Sequence, residues 1–114
     1  METTRQQKIS RLVQRELSDI FQKETYTTFG GALITPTIVR IAPDLSFAKI
    51  YVSIFSPKID AAQVFETIQA QAKKIRQNLA GRTGKQLRIV PELAFFVDDS
   101  LDYQQNIENI LNQK

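Results

Sequence analysis

Six cations, Lys73, Lys74, Arg76, Arg82, Lys85 and Arg88, fall in the stretch from Ala72 to Asp99, and no Asp or Glu stands between Glu66 and Glu92. The chemistry open to such a set is neutralisation of an anion rather than bond-making. Ammonium and guanidinium groups donate charge-assisted hydrogen bonds to phosphate oxygens, Arg through a planar fork and Lys as a point charge. The formal net charge of the chain is only +3, so positive potential is gathered into a short part of it. The cations run directly into a strand-like sequence, which predicts a rigid frame beneath them. A stiff basic surface without carboxylates suits a polyphosphate ligand.

Bond-making chemistry has little to work with. The chain has no His and no Cys, which removes the commonest general base, the commonest metal ligand and all thiolate chemistry. Asp98 and Asp99 are adjacent, and neighbours on a strand point to opposite faces, so they do not converge as an acid/base pair. They read as a strand-ending turn or cap, and Asp44, after Pro43, reads as a turn residue. No nucleophile-elbow serine and no Walker A motif occurs. The expectation is no catalytic residue, no metal and no cofactor.

The elements that must position the cations follow from apolar spacing. Thr4 and Gln7 match a capping box, and Ile9, Leu12, Val13, Leu17, Ile20 and Phe21 give one helical face. Lys8, Arg11 and Arg15 form a stripe on roughly the opposite side, either a solvated face or an addition to the basic surface. Gly30-Gly31 is a turn signal. A strand is predicted from Ala32 to Ile41, with Pro36 demanding an edge position or a bulge. A second runs from Phe47 to Phe55, with Ala48, Ile50, Val52 and Ile54 on one face and Phe47, Lys49, Tyr51, Ser53 and Phe55 on the other. The short link 42–45 makes them an antiparallel hairpin. Tyr51 and Phe55, with Lys49, read either as a base-stacking platform or as aromatics packed under a helix or against the core edge; the second reading is preferred, because no RNA-recognition-motif pattern is present.

Pro57 and Asp60 open a long helix with apolar face Val64, Phe65, Ile68, Ala72, Ile75 and Leu79, stopped by Gly81-Arg82-Thr83-Gly84. A third strand is predicted from Leu87 to Val97, interrupted at Pro91, then a break at 98–100 and a short helix from Tyr103 to Leu111 with Ile107, Ile110 and Leu111 inward. Ile75, Leu79, Leu87, Ile89 and Leu93 are assigned to the core. Three strands with helices on one face give a two-layer α+β sandwich. At 114 residues and 42% hydrophobic, one domain spanning 1–114 is expected. No apolar run approaches a bilayer-spanning length and the N-terminus lacks a signal-peptide hydrophobic region, so the expectation is a soluble, cytoplasmic protein. Gly81-x-x-Gly84 resembles the loop by which KH domains approach a nucleic-acid backbone, but here the strand follows almost at once, and a helix stop accounts for both glycines.

Three blocks together resemble the ribosome-binding factor A family of bacterial small-subunit assembly proteins. They are Arg5 to Ile9 leading into Gln14-Arg15-Glu16-Leu17 and Ile20; Ile41-Ala-Pro43-Asp44-Leu45 with Ala48-Lys49-Ile50-Tyr51-Val52; and Ile75-Arg76 with Leu87 to Leu93, Phe95, Asp98 and Ser100. The resemblance implies a type II KH-like fold, helix–strand–strand–helix–kink–helix–strand, with an Ala-x-Gly kink in place of the G-x-x-G loop. This sequence departs there: the matching positions are Gln71-Ala72-Lys73, or Ala70-Gln71-Ala72, without glycine, and about two extra residues lie at 80–84. It further implies a non-enzymatic, monomeric factor that binds free small (30S) subunits and 16S rRNA, beside neighbouring ribosomal proteins and with no membrane partner, during late maturation. The rRNA contacts would then be Lys73, Lys74, Arg76, Arg82, Lys85 and Arg88, joined by Lys8, Arg11 and Arg15. Two other readings stand beside it: a basic module docking an acidic protein partner, and a small enzyme for an anionic metabolite built from Asp, Glu, Lys and Tyr.

Overall fold

The computed structural model describes residues 4–84, 87 and 89–98. The chain runs α1 (Thr4–Lys23), β1 (Leu33–Ile41), β2 (Phe47–Phe55), α2 (Ala61–Ala70), α3 (Ala72–Thr83) and β3 (Glu92–Val97). The sheet order is β1-β2-β3. β1 and β2 pair antiparallel across their short link, whereas β2 and β3 pair parallel. A parallel neighbour needs a long crossover, which α2 and α3 supply. The three-stranded mixed sheet carries its helices on one face, as the apolar spacing predicts.

Alternation along the strands decides which face is covered. Ala48, Ile50 and Val52 of β2 are buried with Phe95 of β3 and with Val13, Leu17, Ile20 and Phe21 of α1. In β1 the buried positions are Ile34, Pro36, Val39 and Ile41, a slip in the period of two. The slip is a bulge: Pro36 pairs with Val52 but Ile38 pairs with Tyr51, leaving Thr37 extra. Pro36 thus sits on an edge strand and at a bulge together, where its missing N–H costs no ladder bond. Thr37 Oγ1 donates to the Tyr51 carbonyl (3.2 Å) and to Asp98 Oδ2 (2.5 Å). Asp98 therefore ends β3 by holding the bulge of β1, a role in keeping with its turn-like sequence context.

The outer edge of β1 is covered from above. Gln6 Nε2 donates to the Ile41 carbonyl (2.9 Å), and Gln14 Nε2 to those of Pro36 (2.9 Å) and Thr37 (3.3 Å). Two glutamines eight residues apart on α1 thereby occupy edge carbonyls that would otherwise invite strand addition. At the other end of α1, Gly30 adopts φ 61°, and a Cβ there would collide with the Ile59 side chain. Any other residue there would be strained, and the end of the Ile59 side chain would have to move.

The helix that the apolar spacing predicts as one piece is broken at Gln71, within the positions where the resemblance implies a kink. Gln71 sits between α2 and α3 at φ −95°, ψ 5°, in the bridge region rather than the helical one. Its N–H is shared between the carbonyls of Thr67 (2.9 Å) and Ile68 (3.2 Å), while its own carbonyl still accepts from Ile75 N (2.9 Å). Both backbone groups of Gln71 stay hydrogen-bonded, and its conformation does not require glycine. Its cause is tertiary: α2 packs on β2 and β3, whereas α3 packs on β3 and α1.

Asp60 caps α2 as expected, its Oδ1 accepting from Ala62 N (3.2 Å). The glycine turn does not stop α3 where expected. The helix runs through Gly81 to Thr83, and Gly84 follows in right-handed conformation (φ −57°, ψ −23°). The third strand is shorter than expected and starts after Pro91. Leu87 is buried, but Ile89 is 67% exposed, which corrects its assignment to the core: outside a ladder, strand alternation no longer turns it inward. The short helix expected at 103–111 lies outside the described residues.

Candidate nucleic-acid interface

The cations of α3 point in three directions. Lys73 and Arg76, with Gln77, Ala80 and Val90, line a cleft of about 410 Å³ on the side facing the 89–91 segment. Lys74 turns the other way and, with Gln71, Asn78, Glu24 and Thr28, lines a cavity of about 240 Å³ beneath the helix break. Arg82 lies at the seam with α1. Lys73 and Lys74 are exposed, and among the described residues neither is ion-paired or hydrogen-bonded through its side chain. Lys73 heads a ridge with Gln77 and Gly81, one and two turns along the helix, and Lys74 stands about 100° round the helix from it.

Arg76 and Arg82 have structural partners. Arg76 Nη2 donates to the Val90 carbonyl (2.8 Å) and Nε to that of Pro91 (3.1 Å). These carbonyls belong to a segment outside the sheet, and the guanidinium takes the place of ladder donors. Arg82 Nη1 meets Asp19 Oδ2 at 2.5 Å and Glu16 Oε2 at 3.4 Å, and its Nε donates to Asn78 Oδ1 at 3.2 Å. Lys23 Nζ reaches Asp19 Oδ2 at 3.1 Å. The stretch without carboxylates is therefore not a surface without carboxylates, because α1 brings two of them to the seam. Lys8, Arg11 and Arg15 are exposed on α1, and Arg15 lies 3.7 Å from Glu16. The two basic stripes flank the acidic seam rather than merge across it. Lys85 and Arg88 lie outside the described residues.

The seam has a pH signature. The Arg82 hydrogen bond, and then that of Lys23, holds the Asp19 carboxyl below its ordinary 3.8, and the same contact raises the Arg82 guanidinium. A carboxyl depressed in the folded state adds stability above its unfolded pKa near 4, and that addition is lost as pH falls through the lower folded value. Asp19→Asn should lower the melting temperature by a constant amount from pH 5 to pH 7. The difference from the parent should shrink below about pH 4, and at neutral pH it should shrink in 1 M salt, because the pair is solvent-accessible. A difference that persists unchanged at pH 2 would show that the seam is held by something other than this charge pair.

Gly81 offers a second measurement. It is helical, has no positive φ, and a Cβ there meets nothing within 4 Å. Gly81→Ala should therefore stabilise the fold by roughly 0.5–1 kcal/mol. If RNA affinity is unchanged in that variant, close backbone approach at Gly81 plays no part in binding.

Helix–strand–strand–helix–break–helix–strand on a mixed sheet defines a KH-like α+β protein. The chain belongs to the ribosome-binding factor A family, whose model matches residues 5–111. It is 42% identical over 113 residues to ribosome-binding factor A of Cytophaga hutchinsonii, covering 99% of this chain and 84% of that one. With the Chlorobaculum tepidum protein of that name it shares 40% over 107 residues, 94% of this chain and 88% of the other. Among solved structures it resembles the crystal structure of ribosome-binding factor A from Thermus thermophilus (TM-score 0.65, 21% identity, 81% and 94% covered). It also resembles a Thermus thermophilus homology model fitted into the cryo-EM map of a 30S complex (TM-score 0.61, 24% identity, 79% and 91% covered). At those identities the likeness is one of fold.

Proposed function

We propose that this chain is a single KH-like RNA-binding unit that binds free small ribosomal subunits and their 16S rRNA and supports late rRNA processing and folding. It acts without catalysis, as a monomer, in the cytoplasm. Membership of the family supports the ribosomal context, and the Thermus protein fitted into a 30S map is the precedent for the partner. The observation that carries the RNA contact is the pair Lys73 and Lys74, exposed on a packed helix and free of acidic partners among the described residues. Such groups neutralise phosphate, and each contact steepens the salt dependence by roughly one unit of log–log slope.

Lys8 and Arg11 extend the same function from α1. Arg76, Arg82 and Arg15 join it by exchanging or sharing their present partners, and Lys85 and Arg88 continue the basic run in sequence. Phosphate contacts position rather than read sequence, so specificity comes from the shape of the rRNA junction and from neighbouring ribosomal proteins. Co-sedimentation of tagged protein through a sucrose gradient tests the proposal: the expected result is enrichment with free small subunits over complete ribosomes. Nuclease treatment separates the rival reading, since an acidic protein partner would stay bound after the RNA is digested.

A further inference from the structure

The face of the sheet that no described helix covers takes no part in the basic surface of α1 and α3. Strand pairing places Ile38, Tyr51 and Phe96 in one row across β1, β2 and β3, with Arg40 and Lys49 in the next row. The rows lie one two-residue repeat apart, about 7 Å. Tyr51 and Phe96 stack, with ring centroids 5.4 Å apart and planes at 29°. Phe96 is 40% exposed, and Phe55, one repeat beyond Ser53 on the same face of β2, is 63% exposed. Arg40 and Lys49 are exposed and, among the described residues, engage no carboxylate. The sequence reading preferred burial of Tyr51 and Phe55 under a helix or the core edge. The structure places both on the face that no described helix covers, Phe55 exposed and Tyr51 half-buried against Phe96, because strand alternation turns them away from Ala48, Ile50 and Val52.

A half-buried and an exposed ring stacked in a sheet row, beside two cations without an ion pair among the described residues, match one ligand chemistry. Bases stack on aromatic faces without regard to sequence, while adjacent cations track the phosphates. We infer that this open face is a second RNA contact, a stacking platform for one or two unpaired nucleotides, with Tyr51 and Phe96 taking bases and Arg40 and Lys49 taking the backbone. It rests on the RNA-binding reading above and lies on the side of the sheet opposite α3. Charge favours RNA over an apolar protein surface, because Arg40 and Lys49 lie in the row beside the rings rather than at a distant rim. One protein could then hold a structured junction by α3 and a single strand by the sheet.

The test uses the full chain and a labelled ten-nucleotide oligoadenylate followed by fluorescence anisotropy across a salt series. Tyr51→Thr with Phe96→Thr should weaken binding about thirtyfold or more while leaving the salt slope unchanged. Arg40→Gln with Lys49→Gln should lower that slope by about 0.7 per cation lost. Because ring removal could perturb the sheet, a second measurement uses the unaltered protein: photo-crosslinking to a thiouridine-containing single strand, with cross-links expected on peptides holding Tyr51, Phe55 or Phe96. Affinity within twofold of the parent, or cross-links on α3 alone, overturns the platform. So does a dimer that becomes monomeric on ring removal, which would assign the face to a second copy. A parent chain that binds subunits but not the oligonucleotide overturns the platform alone; failure to bind either overturns the RNA-binding reading as well.

Discussion

Charge reversal at Lys73 and Lys74, both to glutamate, is expected to weaken association with free small subunits by about a hundredfold. A unit charge pair at contact in water is worth about 1 kcal/mol, and reversal replaces an attraction with a repulsion, so each site loses up to about 2 kcal/mol. Two sites give about 4 kcal/mol before screening, and physiological salt removes part of it. The log–log salt slope should fall by about two units, and every RNA sequence should be affected alike. The fold should be indifferent, since both side chains are exposed and no interaction of theirs within the described residues is broken. Thermal unfolding checks that indifference and gradient sedimentation checks the loss. Arg82→Glu is the instructive contrast. It would place a third carboxylate against Glu16 and Asp19, so its effect should appear first in stability. If the lysine double variant still co-sediments at moderate salt while Arg82→Glu, folded by its melting curve, does not, the binding surface lies at the α1–α3 seam and not at the two lysines.

That contrast marks where the sequence was legible. Alternation in Phe47 to Phe55 and the proline in β1 specified a hairpin with one covered face and an irregular edge, because side-chain direction in a strand is a local property. Apolar spacing also specified the inner faces of α1, α2 and α3. What one stretch cannot reveal is who arrives from elsewhere in the chain. The run from Glu66 to Glu92 has no acid, yet Arg82 meets Asp19 and Glu16 from a helix more than 60 residues earlier. Arg76 looked like one more surface cation, but it holds the carbonyls of Val90 and Pro91, a need that arises only because the third strand starts late. The break at Gln71 was implied by the family resemblance but not by the residues themselves, which offer neither glycine nor proline there, since its cause is the pull of two different packing partners on α2 and α3. Among the sequence's candidates, the structure leaves Lys73, Lys74, Lys8 and Arg11 unengaged among the described residues, whereas Arg76, Arg82 and Arg15 already have partners.

The largest expected effect on stability belongs to Phe21. Its ring is fully buried and sits at 5.8 Å from Phe29 and 6.1 Å from Phe95, both edge-to-face, with interplanar angles of 62° and 70°. It therefore joins α1, the turn before β1 and the parallel strand β3 in one contact. Truncating a buried aromatic costs about 3–5 kcal/mol through lost transfer energy and the cavity left behind, of which each edge-to-face pair supplies about 0.5–1.5 kcal/mol. Against a total of roughly 5–15 kcal/mol for a small domain, Phe21→Ala should lower the melting temperature by about 10–20 °C. Phe21→Leu, which keeps most of the volume, should cost less than half as much. Circular dichroism on the two variants checks both, and a loss below about 1 kcal/mol for alanine would mean the site collapses around the gap. The consequence reaches the basic ridge. Phe95 is held from α2 by Gln69, whose Nε2 lies 3.4 Å from its carbonyl, and α3 follows α2 through a single non-helical residue. A looser core at Phe21 should therefore let the ridge shift relative to the sheet. Subunit affinity should fall in Phe21→Ala even at temperatures where the chain remains folded, with the salt slope unchanged because every cation is still present.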